Sequence, residues 1–262
     1  MPPHPFRSVA TATATASLAA TAAAVATLAV GPSAAPAGAA TPSAQSTYDA
    51  TIKAVTQKGV HFVSVAKQSG TTLRVVGDTG VSSGTQSLTV THGSTVEHMH
   101  AMVVGSTGYV QANSTALRNV IGLSAANSKK YANKWLSFPT SNGTLASLVV
   151  GLKNSEVASG IKMNGPFTYD KPQTVAGHKT LAVRGTASTQ SGSKIPVVLY
   201  VNATGTPKPI EQVTNPGAAK SSSNIEGTVT FSNWGENSKE TAPAHTVSLL
   251  KLAPGSSSGS SK

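Results

Sequence analysis

The sequence contains no cysteine. That absence excludes disulfides, thiolate metal sites, a cysteine nucleophile and a lipid anchor on an N-terminal cysteine. Acids are scarce: nine Asp and Glu stand against 20 Lys and Arg in 262 residues, a formal net charge of +11. Only 11% of residues are charged, so the excess comes from missing acids rather than from dense bases. Arginine is limited to Arg7, Arg74, Arg118 and Arg184, and the densest basic cluster is Lys129, Lys130 and Lys134. Nucleic-acid-binding domains gather Arg and Lys on one face or motif, so nucleic acid is not an expected partner. P-loop, dinucleotide-binding and H-E-x-x-H patterns are also missing, and no cofactor or metal is expected.

One uncharged run is present, at the start. Arg7 is the only firmly charged side chain before Ala10 to Val30, which is mostly Ala, Thr, Leu and Val. Its most apolar part, Leu18 to Val30, has the length of a signal-peptide h-region. Gly31 and Pro32 end it, and small-x-small sites follow at Ala35-Pro36-Ala37 and Ala37-Gly38-Ala39. The expectation is a Sec-type signal peptide over 1–40, cut near Ala37 to Ala40, and a secreted chain with no lipid anchor. The Thr-laden run is weakly hydrophobic for a membrane span of about 20 residues, and no later stretch reaches that length. For an exported basic protein, an anionic envelope surface is a partner the charge fits, and plain solubility accounts for it equally.

A Pro/Ala/Gly/Ser linker over 41–45 leads to a domain expected over 46–252, with a Ser/Gly tail over 253–262. Ser46-Thr47-Tyr48-Asp49 reads as a capping box with Asp in place of Glu. Tyr48, Ile52 and Val55 then fall at helical spacing, with Gly59 at the C-cap position. Val60 to Ala112 reads as strands. Gly93-Ser94 between two β-rich runs is a type II′ hairpin signal. It pairs His92 with Thr95, Val90 with Glu97, Leu88 with Met99 and Gln86 with Ala101. One face is then apolar (Leu88, Val90, Met99, Ala101, Val103), and the other carries Ser87, Thr89, Thr91, His98 and His100. This predicts a sheet with one face buried and one wet.

Short helices are expected next: one capped by Ser114 with Leu117, Val120 and Ile121, and a basic one from Ala125 to Asn133 capped by Ser124. A strand over Lys134 to Phe138 precedes a third helix, capped by Ser141 or Asn142, with Leu145, Leu148, Val149 and Leu152 on its stripe. Strands return from Phe167 to Leu250. The order of elements defines an α+β domain, a many-stranded antiparallel sheet curled over its helices.

Two patterns point toward chemistry. Gly80-Val81-Ser82-Ser83-Gly84 and Gly255 to Gly259 match G-x-S-x-G, whose nucleophile elbow requires a strand before and a helix after. The first is followed by a strand pattern and the second lies in the tail. Only Asp49, Asp78 and Asp170 could complete a Ser-His-Asp set, so no catalytic residue is assigned. His98 and His100 stand about 7 Å apart on one strand face, but His92 and Glu97 fall on the other. Two ligands make an incomplete metal site, and both imidazoles are expected to face solvent.

Several local stretches then carry a resemblance. Val104-Gly105-Ser106-Thr107-Gly108-Tyr109-Val110 leads to a helix, followed by Tyr131-Ala132-Asn133-Lys134-Trp135. Leu199-Tyr200-Val201-Asn202, Pro207-Lys208-Pro209-Ile210 and Phe231-Ser232-Asn233-Trp234-Gly235 come later. In these stretches and in segment order, Ser46 to Leu252 resembles the exported actinobacterial lipoproteins of the LppX/LprG type, which share the fold of the lipoprotein carrier LolA. The resemblance implies a strongly curved antiparallel half-barrel with helices covering its open side. It also implies an apolar gap that receives the acyl chains of a lipid or lipoglycan. The expected lining is Leu88, Val90, Met99 and Val103 from the sheet, with Leu117, Val120, Ile121, Leu145, Leu148 and Val149 from the helices. An open cavity and a close-packed core satisfy these patterns equally. The expected function is a non-enzymatic envelope carrier or binding protein; the alternatives are an interaction or sensor protein of the same fold with no transported ligand, and a hydrolase with an unrecognised site. The missing lipobox cysteine sets the chain apart from the lipoproteins it resembles.

Overall fold

The structure is a computed structural model that describes residues 42–188, 192–216 and 226–252. The expected signal peptide and the C-terminal tail with its Gly255 to Gly259 motif lie outside the described residues.

The first helix, α1 (Ala44–Val55), starts three residues earlier than the capping-box reading places it. The Ser43 hydroxyl, not Ser46, accepts from the Ser46 amide at 3.1 Å and caps it. Gly59 does not cap the helix, which ends at Val55. It is instead a close-approach glycine: a Cβ there would sit 1.5 Å from the Glu236 carbonyl oxygen.

Five antiparallel strands follow as a meander: β1 (His61–Gln68), β2 (Thr71–Thr79), β3 (Ser83–His92), β4 (Thr95–Val104) and β5 (Thr107–Ala112). The β3–β4 register is the one the Gly93-Ser94 turn dictates, with His92 opposite Thr95 and Leu88 opposite Met99. Gly93 has φ +56°, the left-handed value such a turn requires. The chain then makes α2 (Ser114–Asn119), α3 (Ala125–Tyr131), β6 (Leu136–Pro139), α4 (Gly143–Ala146) and α5 (Asn154–Gly160). Asn113 rather than Ser114 caps α2, through Oδ1 and the Ala116 amide at 2.9 Å. The expected third helix shrinks to α4, turns carry Leu148 and Val149, and Leu152 lies in irregular chain after them. The second meander comprises β7 (Asn164–Val175), β8 (His178–Ser188), β9 (Lys194–Asn202) and β10 (Pro209–Thr214), then β11 (Glu226–Ser232). A strap over residues 233–246 carries the chain to β12 (Val247–Ser248) and a 3-10 turn, Leu249–Lys251.

These twelve strands form one sheet in the order β12-β6-β5-β4-β3-β2-β1-β11-β10-β9-β8-β7. All pairs are antiparallel except β12 with β6. At one edge, β12 is two residues long. At the other, β7 slips register twice, around Pro166 and around Pro172. Cross-strand partners share a face, so one row can be followed across the molecule: Ala112, Met99, Leu88, Val75, Ser64, Val229, Gln212, Leu199, Val183. This row defines the inner face.

Two apolar cores lie on it. The first gathers Met99, Ala101, Val103 and Val110 under Leu117, Leu148, Val149, Leu152 and Leu249. The second packs Val183, Val197, Leu199 and Val201 against Ala44 and Tyr48 of α1 and against Met163. The Tyr48 ring stacks on Phe167 at 4.3 Å, and its hydroxyl accepts from the Met163 amide at 2.7 Å. Glycine makes room where covering segments touch the sheet. A Cβ on Gly84 would stand 2.1 Å from the Leu152 carbonyl oxygen. Gly84→Ala is therefore expected to push Leu152 off the first core and to destabilise the fold by about 1–3 kcal/mol, measurable as a lower urea midpoint with unchanged slope.

Candidate functional site

Between the two cores the inner face changes character. On the four strands β3, β2, β1 and β11, Val90, Leu73, Val75, Ala66, Ser64 and Val229 are all only partly buried. None of them belongs to either core or packs against one. The register places Val90 beside Leu73, Leu73 beside Ala66, Val75 beside Ser64, and Ser64 beside Val229. The result is a continuous, mainly apolar strip, with a core on either side.

A buried glutamine stands on each flank. Gln86 on β3 donates Nε2 to the Leu148 carbonyl at 2.9 Å. Gln212 on β10 donates Nε2 to the Ile161 carbonyl at 3.4 Å. Both sit at inner-face positions where alternation calls for an apolar side chain. Each satisfies a backbone carbonyl that would otherwise be buried without a partner, at a cost of about 1–3 kcal/mol. Each therefore ties a covering segment to the sheet and fixes where coverage stops. The signal for this role, an amide in an apolar register, was present in the sequence, but its partners come from distant segments.

Of the residues expected to line a gap, Met99, Val103, Leu117, Leu148 and Val149 are buried together in the first core. Leu88, Ile121 and Leu145 are partly buried and packed against that core. Val90 lies on the uncovered strip. Val120 departs from the expected stripe: it is the C-cap of α2 and is 41% exposed. Helical spacing was read through a position where the helix has already ended.

The outer face is mixed: Thr85, Ser87, Thr89, His98 and His100 make it polar over β3 and β4, while Met102, Ala182 and Val198 are buried apolar positions on it. His98 is exposed as expected, but His100 is half-buried. Its ring lies 5.3 Å from that of Trp135, and its Nε2 is 2.6 Å from the Thr85 hydroxyl. Burial pulls the His100 pKa below the usual histidine value, against the opposing charge of Glu240 on the strap. Elsewhere on this face, burial raises the Glu211 carboxyl above the usual range, and Arg184 pairs with Asp170. Gly80 to Gly84 links two strands, β2 and β3, so Ser82 sits on a hairpin turn without the following helix a nucleophile elbow needs. Among the described residues, no three His, Cys, Asp or Glu side chains converge to hold a metal.

An open, mostly antiparallel sheet with its few helices on one face defines a LolA/LppX-like fold. LprF from Mycobacterium bovis, of the LppX/LprG family, has this fold; it aligns over 77% of this chain and 97% of its own length, with a TM-score of 0.50 and 16% identity. A LolA superfamily protein from Nitrosomonas europaea aligns over 76% of this chain and 96% of its own, with a TM-score of 0.31 and 10% identity. MucB of Pseudomonas aeruginosa, in its complex with MucA, aligns over 77% and 61%, with a TM-score of 0.37 and 14% identity. No protein-family model and no curated protein matches the chain.

The two histidines provide a test of the outer face. His98→Ala is expected to change stability by less than about 0.5 kcal/mol. His100→Gln is expected to alter the pH dependence. A histidine whose folded pKa is lowered adds stability above its unfolded pKa of about 6.5, and that stability is lost as pH falls toward the folded value. Urea melts at pH 7.5 and below pH 6 should show a smaller acid loss in His100→Gln than in wild type.

Proposed function

We propose that this chain is an exported, non-enzymatic cell-envelope protein that binds or carries an acyl lipid or lipoglycan along the inner face of its sheet. One observation carries this reading: a mainly apolar strip lies uncovered between two closed cores. A sheet face that is apolar by alternation gains stability when covered, at about 25 cal/mol per Å² removed from water. Here the chain covers both ends of that face and leaves the middle to something else. A hydrocarbon chain fits such a strip, each buried CH₂ contributing about 0.8 kcal/mol. LprF, with which the chain shares its fold, makes an envelope role the natural comparison.

In this reading the acyl chain lies along Leu73, Val75, Ala66 and Val229, bordered by Leu88 and Val90. Met99, Val103, Leu117, Leu148 and Val149 form a packed wall beside it, with Ile121 and Leu145 at the margin. Export rests on the N-terminal apolar run and its small-residue sites, and release on the missing cysteine. Among the described residues, no helix is long and apolar enough to cross a membrane. The excess of basic side chains adds attraction to anionic head groups at the envelope surface.

Two substitutions separate the strip from the wall. Val75→Asp places a charge on the strip and should weaken binding of a fluorescent fatty acid at least tenfold while the melting temperature moves by only a degree or so. Leu148→Trp overfills the wall and should cost about 1–3 kcal/mol of stability. Unchanged fatty-acid affinity in Val75→Asp would sink the proposal. So would a wild-type protein that binds no acyl probe and co-purifies with no lipid from its own host.

A further inference from the structure

The opposite face of the same sheet carries a second concave feature. A shallow depression of about 230 Å³ lies over β3, β4 and β5, with side chains of Ser87, Thr89, His98, His100, Gln111 and Asn133 around it. The register assembles them: Ser87 stands opposite His100, Thr89 opposite His98, and His100 opposite Gln111. They alternate with Leu88, Met99 and Ala112, whose side chains belong to the inner face.

The hydrogen-bond inventory of this patch is incomplete in a consistent way. His98 uses Nδ1 toward the Thr89 hydroxyl at 3.3 Å, which leaves Nε2. His100 uses Nε2 toward Thr85, which leaves Nδ1. Gln111 donates Nε2 to the Asn133 carbonyl at 2.9 Å, which leaves Oε1. The Ser87 hydroxyl and the Asn133 side-chain amide bond to nothing among the described residues. Donors and acceptors are therefore both presented, from imidazole, amide and hydroxyl groups. No carboxylate or ammonium lines the depression. Glu97, next in sequence to His98, points to the inner face, because it pairs with Val90. Trp135 packs on the His100 ring from outside this lining.

This chemistry discriminates among ligands. An anion would need a lysine or arginine in the lining, and a metal ion a third ligand. An apolar ligand would leave the polar side chains of the lining without partners. A hydroxyl-rich neutral ligand uses mixed donors and acceptors. The volume corresponds to about eight waters at ~30 Å³ each, the scale of one sugar ring. We propose that the outer-face depression is a saccharide subsite that holds one neutral sugar ring of a glycan through Ser87, His98, Gln111 and Asn133. It faces away from the acyl strip and does not depend on lipid binding.

The test is NMR titration of the ¹⁵N-labelled full chain with methyl α-mannopyranoside, methyl β-glucopyranoside and methyl α-galactopyranoside. At least one glycoside should shift the Gln111 and Asn133 side-chain amides together, saturating with a Kd on the order of a millimolar. Asn133 has φ +58°, so Asn133→Gly removes the amide without straining the backbone. That variant, and separately Ser87→Ala on an exposed position, should each weaken the glycoside at least threefold, and the pair at least tenfold. Fatty-acid binding should remain unchanged in both, which separates this site from the acyl strip. The proposal is overturned if no glycoside gives saturable shifts, or if both variants bind like wild type. It is equally overturned if inorganic phosphate or zinc chloride produces the same saturable shifts at lower concentration.

Discussion

Strand β1 pairs with β11 over seven residues, from His61 opposite Ser232 to Lys67 opposite Glu226, and the rest of the molecule depends on this ladder. Without it the chain would be two separate meanders, β1 to β6 and β7 to β11, each with its own apolar cluster. The first core draws on residues from Met99 to Leu152 plus Leu249, the second on Ala44, Tyr48 and residues from Met163 to Val201. The ladder lays the two side by side on one sheet, so their inner faces become a single surface. The strip on which the functional reading rests exists only because of that junction: Ala66 and Ser64 come from one half, Val229 from the other.

The ladder is also the least local strand pairing in the fold. Meanders close through short turns, whereas β1 and β11 meet only after most of the chain between them is in place. Loop-closure entropy grows with such separation and slows the step that forms it. The strap over residues 233–246 reinforces the junction once made. It is tied at intervals: the Gly235 amide to the Gly59 carbonyl at 2.8 Å, the Ser238 amide to Thr79 at 3.0 Å and the Glu240 amide to the Ser83 hydroxyl at 3.0 Å. Gly59 has no room for a side chain because this strap passes so close.

Much of the sheet was legible in the sequence. The β3–β4 register followed from one Gly-Ser pair, because hairpin turns set register by geometry. Helix α1 followed from Tyr48, Ile52 and Val55. The covering segments were less legible. Leu145, Leu148, Val149 and Leu152 satisfy helical spacing, yet only Leu145 lies in a helix, since turns and irregular chain also bring such positions to one side. Helix α5 offered no stripe, with only Val157 buried among its apolar residues. His100 reads as a solvated strand residue until Trp135 is laid across it. The division into two cores, and the strip between them, depend on partners from opposite halves of the chain, which local periodicity does not encode.

An open sheet of twelve strands has two borders, and each invites another chain to continue the ladder. Here both are blunted. The β12 border is two residues long, too short to template a neighbour. The β7 border is long, but its prolines fall where the register slips, and a proline offers no amide to an incoming strand. The molecule can therefore leave its sheet unclosed, with an inner face free to widen or narrow, without becoming the seed of a polymer.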